Sequence, residues 1–327
     1  SSRYDEDVIR YPERMMVGSE TMVADLPYNW ERVKRYPQLI GDFVWSGWDY
    51  LGEACIGDWS YASYRGLPLL AGQGMIDITG KPLAAMYYMQ IVWGIRKEPY
   101  IGLRPVNHHD EEPHKGSWQF TNAIESYSWQ PYEGKKTVAE VYGTGDHAVL
   151  TLNGKKIGCK KLVKNKALFK FRYESGILKA ETYDENNKLL EESMLETAGK
   201  ETVLTVRADK TVIRTDELSY VEIEFTDLEG NLKPYVEVPV RVETEGEIEL
   251  LGLGSALCKT DETFNSHVHD SYRGRALAVV KGNKRNILEL TESALGDKKY
   301  GAEKEERANK ILNEDLIPAI NKVGELF

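Results

Sequence analysis

Glu20 closes an apolar run, Met15-Met16-Val17-Gly18-Ser19-Glu20, and a second run, Ile40 to Trp45, ends in Ser46-Gly47-Trp48-Asp49 with Glu53 shortly after. Short apolar runs with polar residues at their C-terminal ends read as buried parallel strands. Carboxylates gathered at such ends are free to act as nucleophile, acid or base. Trp45 and Trp48 beside them offer flat apolar platforms. Together they suit a ring with a carbon face and a rim of hydroxyls, which needs an aromatic wall and oxygen acceptors. Tyr28, Trp30 and Arg65 are further candidates to line such a site. Each residue also has an ordinary role open to it: Trp45 and Trp30 as packing, Asp49 and Glu53 as helix caps or ion-pair partners.

The elements that would position these residues follow the same grammar. Asn29 to Tyr36 reads as a helix between the two strands, and Ala84, Ala85, Tyr88, Ile91 and Val92 mark a second helix that ends before Gly94. Strand, helix, strand, helix is a β/α unit. From about Gly116 the period becomes two. Val138 to Tyr142, Ala148 to Leu152 and Phe169 to Tyr173 read as antiparallel strands, and Asn153-Gly154 is a hairpin turn. A second set begins at Thr202, with Val221, Ile223 and Phe225, a turn over Asp227 to Gly230, then Val238, Val240 and Val242. Ile311, Leu312, Leu316, Ile320 and Val323 predict a closing helical segment bent at Pro318.

With 327 residues, 41% hydrophobic and 29% charged, the chain is large enough for two or three cores. A net charge of -10 argues against nucleic acid as a partner, which leaves a small neutral ligand the better fit. Cys55, Cys159 and Cys258 are too few and too scattered for a disulfide framework or a zinc site, so a reducing, cytoplasmic setting in a bacterium is expected. No apolar run is long enough to cross a bilayer, and the opening Ser1-Ser2-Arg3-Tyr4 reads as a cut or processed end. His108-His109, with Asp110, Glu111, Glu112 and His114, is the one metal-like cluster. It reads better as a solvated connector, and no metal is expected. Gly252-Leu253-Gly254 has no helix after it and does not signal a dinucleotide site.

Met15 to Thr21 resembles the seventh barrel strand of glycoside hydrolase family 2 with its nucleophile, and Gly41 to Glu53 resembles the eighth. Asp77 to Trp93 is similar to the helix that ends the family's barrel. Leu150 to Lys155 and Leu251 to Ser255 are similar to segments of its trailing domains. The resemblance implies the C-terminal part of a (β/α)8 TIM barrel over 1–103. Two immunoglobulin-like β-sandwiches would follow, over 104–199 and 200–300, then a helical tail over 301–327. It implies a retaining exo-β-glycosidase in which Glu20 attacks the anomeric carbon, with Trp45, Trp48, Asp49, Glu53, Tyr28 and Arg65 around the sugar and no cofactor.

The family's acid/base is a Glu after an Asn on the fourth strand, and no Asn-Glu precedes Glu20. An N-terminal half carrying strands one to six is therefore the expected partner, without which the chain alone is expected to be inactive. A homo-oligomer stays open. The family's β-glucuronidases hold the substrate carboxylate with Asn-x-Lys, where this sequence has Ala71-Gly72-Gln73. That favours a neutral sugar, most simply β-galactose, although Arg65 keeps the glucuronide open. A competing reading makes the chain a carbohydrate-binding or assembly module acting through Trp118, Trp129 and Tyr132.

Overall fold

The computed structural model describes residues 3–283. The expected helical segment and the end of the second sandwich from 284 onward lie outside the described residues. Helix α1 (Arg3–Arg10) leads to strand β1 (Met16–Thr21), helix α2 (Leu26–Arg35) and strand β2 (Leu39–Val44), which pairs with β1 in parallel. α2 starts earlier than its apolar pattern suggests because Pro27 suits the first turn, where its missing N–H is not needed. Arg32 of α2 grips Asp5 of α1, with Nε and Nη2 at 2.9 and 2.7 Å from one carboxylate oxygen.

The chain then makes the two-residue strands β3 (Trp59–Ser60) and β4 (Leu67–Pro68) before helix α3 (Ala84–Val92). α3 buries Ala84, Tyr88, Met89 and Ile91 against Val23, Leu26 and Met75 on one side and Tyr100 and Tyr142 on the other. Trp30 leans on Trp93 with ring centroids 5.3 Å apart, so it is packing.

Beyond α3 come β5 (Tyr100–Leu103), β6 (His114–Lys115), β7 (Lys136–Tyr142), β8 (His147–Leu152), β9 (Lys155–Lys161), β10 (Lys166–Arg172), β11 (Ile177–Tyr183) and β12 (Leu189–Glu196). They form two antiparallel sheets, in the orders β10-β7-β5 and β12-β11-β8-β9, and β6 pairs with β3. Asn153 and Gly154 take positive φ in the turn joining β8 to β9, as a type I′ hairpin requires. The shared core holds Ile101, Val141, Leu150, Phe169 and Trp129. Trp129 is 1% exposed, so it cannot touch a glycan, and the binding-module reading loses one of its three aromatics.

The first sheet is covered on both faces. Ala139 and Val141 of β7 face the sandwich core, whereas Tyr142 joins the cluster around α3. Glu140 is 0% exposed. It accepts from Arg104 Nη2 at 2.7 Å, Lys166 Nζ at 2.8 Å, Thr121 Oγ1 at 2.8 Å and Tyr142 OH at 2.7 Å. This buried ion cluster ties β7 to Lys166 of β10 and to the segments that carry Arg104 and Thr121.

The last set is β13 (Val203–Ala208), β14 (Leu218–Thr226), β15 (Pro239–Arg241), β16 (Ile248–Gly254), β17 (Lys259–Thr260), β18 (Val268–Asp270) and β19 (Arg275–Gly282). One sheet runs β13-β14-β19-β16 and a short one pairs β15 with β18. The expected strand over Val238 to Val242 shrinks to three residues, because Val238 and Val242 lie beyond the ladder and bond to loop residues Ser271 and His267. Lys233 is buried, and its ammonium donates to Lys200 O, Glu201 O and Thr202 Oγ1 within 3.0 Å. It pins the linker between the two units. β17 pairs with β4, and Lys81 Nζ reaches Glu222 at 2.7 Å and Glu224 at 3.4 Å, which ties the last unit back to the first hundred residues.

Candidate active site

β1 and β2 bring Thr21 opposite Val44, and the Trp45 N–H donates to the Thr21 carbonyl at 2.9 Å. Glu20, the residue before the acceptor Thr21, and the donor Trp45 therefore stand together at the C-terminal ends of neighbouring parallel strands. Glu20 is exposed, and Trp45 is 39% exposed. Below them lies a buried polar layer in which Asn29 Nδ2 donates to Thr21 Oγ1 at 2.8 Å and Thr21 Oγ1 donates to Asp42 at 2.5 Å.

The strand register is irregular here, and it brings Gly18 against the same Asp42. A β-carbon on Gly18 would lie 2.1 Å from Asp42 Oδ1 and 2.6 Å from the Tyr4 hydroxyl. Gly18→Ala is expected to cost about 1–3 kcal/mol of stability in urea unfolding. An unchanged midpoint would contradict this contact.

Tyr50 is the hub of the second strand end. Its hydroxyl accepts from Trp45 Nε1 at 3.2 Å and Gln73 Nε2 at 3.1 Å, and it donates to the Glu53 carboxylate. Trp45 and Tyr50 meet edge to face at 82°, centroids 6.0 Å apart. Burial, then the hydrogen bond to Glu53, raises the Tyr50 hydroxyl above the ordinary phenol value, so it stays a donor. Glu53 thus holds Tyr50, and Tyr50 fixes the indole edge.

Asp49 is 6% exposed and accepts from the Gly72 N–H at 2.9 Å. Burial pushes its carboxyl up, partly offset by the backbone N–H groups of Gly72, Tyr50 and Gln73. It anchors the loop carrying Gln73. Trp48 is exposed, with the edge of its indole beside Gly80. Tyr28 points to α1 and its own helix: the Arg32 guanidinium lies 3.2 Å from its ring centroid and its hydroxyl is 3.5 Å from Asp5. Arg65 is exposed on the loop before β4, next to Gly66, which abuts the backbone of Thr260 in β17. Among the described residues no contact joins Arg65 to Glu20 or Trp45.

Thus Trp45, Asp49 and Glu53 come together through Tyr50 and Gln73, and Glu20 lies across the strand pair. Tyr50 joins the site only through the fold, its one sequence signal being a tyrosine close to Glu53, and Gln73, at the Asn-x-Lys position, serves as its partner. Trp118, a candidate of the binding-module reading, instead lines a small cavity of about 30 Å³ with Trp45 and Gln73, a neighbourhood that its distance in sequence does not reveal. His108 is not a solvated connector: it is buried, stacked on Tyr61 at 3.9 Å, with Nδ1 against Glu111 and Nε2 against the Tyr64 hydroxyl. Aromatic neighbours and a local carboxylate make that burial affordable. Among the described residues no His, Cys, Asp and Glu group could hold a metal ion.

Three family models match parts of the chain: glycoside hydrolase family 2 C-terminal domain 5 over residues 204–299, a domain of unknown function over 134–191, and a B12 binding domain over 274–327. The last begins at Gly274, just before β19, and beyond residue 283 it falls outside the described residues. The chain is 25% identical over 264 residues to a β-galactosidase of Bacteroides ovatus, covering 79% of this chain and 27% of that protein. The solved structure of a glycosyl hydrolase family 2 member from Bacteroides cellulosilyticus superposes with a TM-score of 0.74 at 29% identity, covering 86% of this chain and 38% of that one. A β-glucuronidase structure of family 2 has a TM-score of 0.55 at 18% identity, over 80% of this chain and 24% of its own, a likeness of fold alone. These matches support a C-terminal fragment of a glycoside hydrolase family 2 enzyme, and the chain spans 27% and 38% of the lengths of the first two of these relatives.

Proposed function

We propose that this chain supplies the nucleophile side of a retaining exo-β-glycosidase, with β1 and β2 as the seventh and eighth strands of a (β/α)8 barrel and the two antiparallel units as immunoglobulin-like domains. The observation that carries the reading is the placement of Glu20 and Trp45 at adjacent strand ends, where the Trp45 N–H donates to the carbonyl of Thr21, the residue after Glu20. In the first step a Glu20 oxygen attacks the anomeric carbon while a second carboxylic acid, about 5–5.5 Å away, protonates the departing oxygen. In the second step that group, now a carboxylate, takes a proton from water, and the water oxygen displaces Glu20. Two carboxylates suffice, and no cofactor takes part.

The second carboxylic acid comes from a polypeptide segment that completes the barrel. Met15, Val17, Ile40 and Phe43 are exposed on the β1–β2 pair, and parallel strands of this composition are ordinarily covered on both faces. Mass spectrometry of the active enzyme is expected to find residues 1–327 together with that segment, fused or bound. Turnover by the isolated chain would overturn this.

The sugar we infer is β-galactose. Gln73 places a neutral amide beside Tyr50, and the Bacteroides ovatus relative is a β-galactosidase. A substrate carboxylate without a cationic partner binds poorly, so the complete enzyme should favour an aryl β-galactoside over the glucuronide by about a hundredfold in kcat/KM. Preference for the glucuronide would reverse the assignment and direct attention to Arg65.

A further inference from the structure

A cavity of about 150 Å³ lies where the β/α part, the first sandwich and the second sandwich meet. Asp49 forms part of its wall, but Glu20 and Trp45 do not. The hairpin between β18 and β19 contributes Arg273 to it. Tyr272 and Arg275 exchange backbone hydrogen bonds of 2.9 and 3.0 Å, and between them Arg273 (φ 54°) and Gly274 (φ 74°) both take the left-handed conformation. Asn, Asp or Gly is the ordinary residue at the first of these positions, so an arginine there sacrifices backbone stability. Its guanidinium carbon lies 4.9 Å from the Tyr272 ring centroid, and its Nε is buried with no hydrogen-bond partner.

Three more polar atoms of the lining are buried and unpartnered: Asp58 Oδ2, Asn122 Oδ1 and Trp59 Nε1. Asp58 is 7% exposed and Asn122 2% exposed, and the amide nitrogen of Asn122 is already committed to Tyr61 OH at 2.7 Å. Buried polar atoms without partners are destabilising unless something supplies the bonds. Here they comprise two acceptors and two donors around a space of the size that holds a six-membered ring in a protein interior. A hydroxyl both donates and accepts, and a neutral molecule adds no charge to a buried site that already holds Asp58 and Arg273.

We propose that this junction cavity binds a small neutral polyol, up to a single pyranose ring. Its hydroxyls donate to Asp58 Oδ2 and Asn122 Oδ1 and accept from Arg273 Nε and Trp59 Nε1. Glu20 does not line this cavity, although Arg273 also borders the small cavity beside Trp45 and Gln73, and the proposal does not depend on the glycosidase reading.

Calorimetric titration of the 327-residue chain with galactose, glucose and glycerol tests it, on the native protein and on Arg273→Asn, Asn122→Ala and Glu20→Gln. Asparagine suits the turn, so Arg273→Asn should fold while losing the guanidinium. At least one of the three probes is expected to bind, with about tenfold or greater loss in Arg273→Asn and Asn122→Ala and no change in Glu20→Gln. No binding by any probe, binding indifferent to both cavity variants, or binding lost in Glu20→Gln overturns the proposal. So does a crystal grown with the bound probe that shows ordered water alone in the cavity.

Discussion

Glu20→Gln in the complete enzyme is expected to lower kcat/KM for an aryl β-galactoside by at least about a thousandfold, because the amide cannot form the covalent intermediate. The fold should be indifferent. Glu20 is exposed, and the polar layer beneath it is built from Thr21, Asn29 and Asp42, which the substitution leaves in place. An equal loss of stability would point instead to a structural carboxylate. Thermal unfolding beside the rate measurement separates the two, and an active Glu20→Gln enzyme would remove Glu20 from the mechanism.

Glu140→Ala is expected to have the largest effect on stability, about 3–5 kcal/mol in urea unfolding of this chain. The carboxylate meets Arg104 and Lys166 with no exposure of its own, so its loss leaves two cations facing a vacated acceptor. Burial raises Glu140, but Lys166 and then Arg104 outweigh it and hold its carboxyl below the ordinary glutamate value. A group depressed in this way contributes in full above its unfolded value of about 4.3. That contribution is lost as pH falls through the lower folded value. Stability should therefore decline with acid below about pH 4.3, less steeply in Glu140→Gln. A loss under about 1 kcal/mol for Glu140→Ala would mean that the cluster is only a surface pair.

Glu140 also illustrates what the sequence could and could not convey. The strand around it was legible from Val138 to Tyr142, as were the Asn153-Gly154 turn, the β1 and β2 strands and the α3 helix, because each depends on local periodicity or turn chemistry. The burial of Glu140 was not legible. It follows from α3 packing on the outer face of β7, a contact between segments about fifty residues apart that no local pattern records. The same holds for His108, whose partners Tyr61 and Tyr64 come from the loop around β3.

In the site, Glu20 and Trp45 could be read from strand ends. Asp49 was recognisable as a carboxylate beside Trp48, but its buried anchoring of the Gly72 loop depends on the return of the chain. Tyr28 was placed near Glu20 by sequence proximity, whereas the Arg32–Asp5 pairing turns it toward α1. Tyr50 and Gln73 emerge only when the loops after β2 and β4 fold onto one another, which gives Trp45 a fixed edge.

The most direct test of the central claim is covalent trapping. The complete enzyme is incubated with a 2-deoxy-2-fluoro β-galactosyl fluoride, which forms the glycosyl-enzyme quickly and hydrolyses it slowly, and the digest is sequenced by tandem mass spectrometry. The sugar is expected on the carboxylate of Glu20, within the peptide around Met16–Thr21. A label on Asp49, Glu53 or another carboxylate, or turnover with no label at all, would contradict the assignment of Glu20 as the nucleophile.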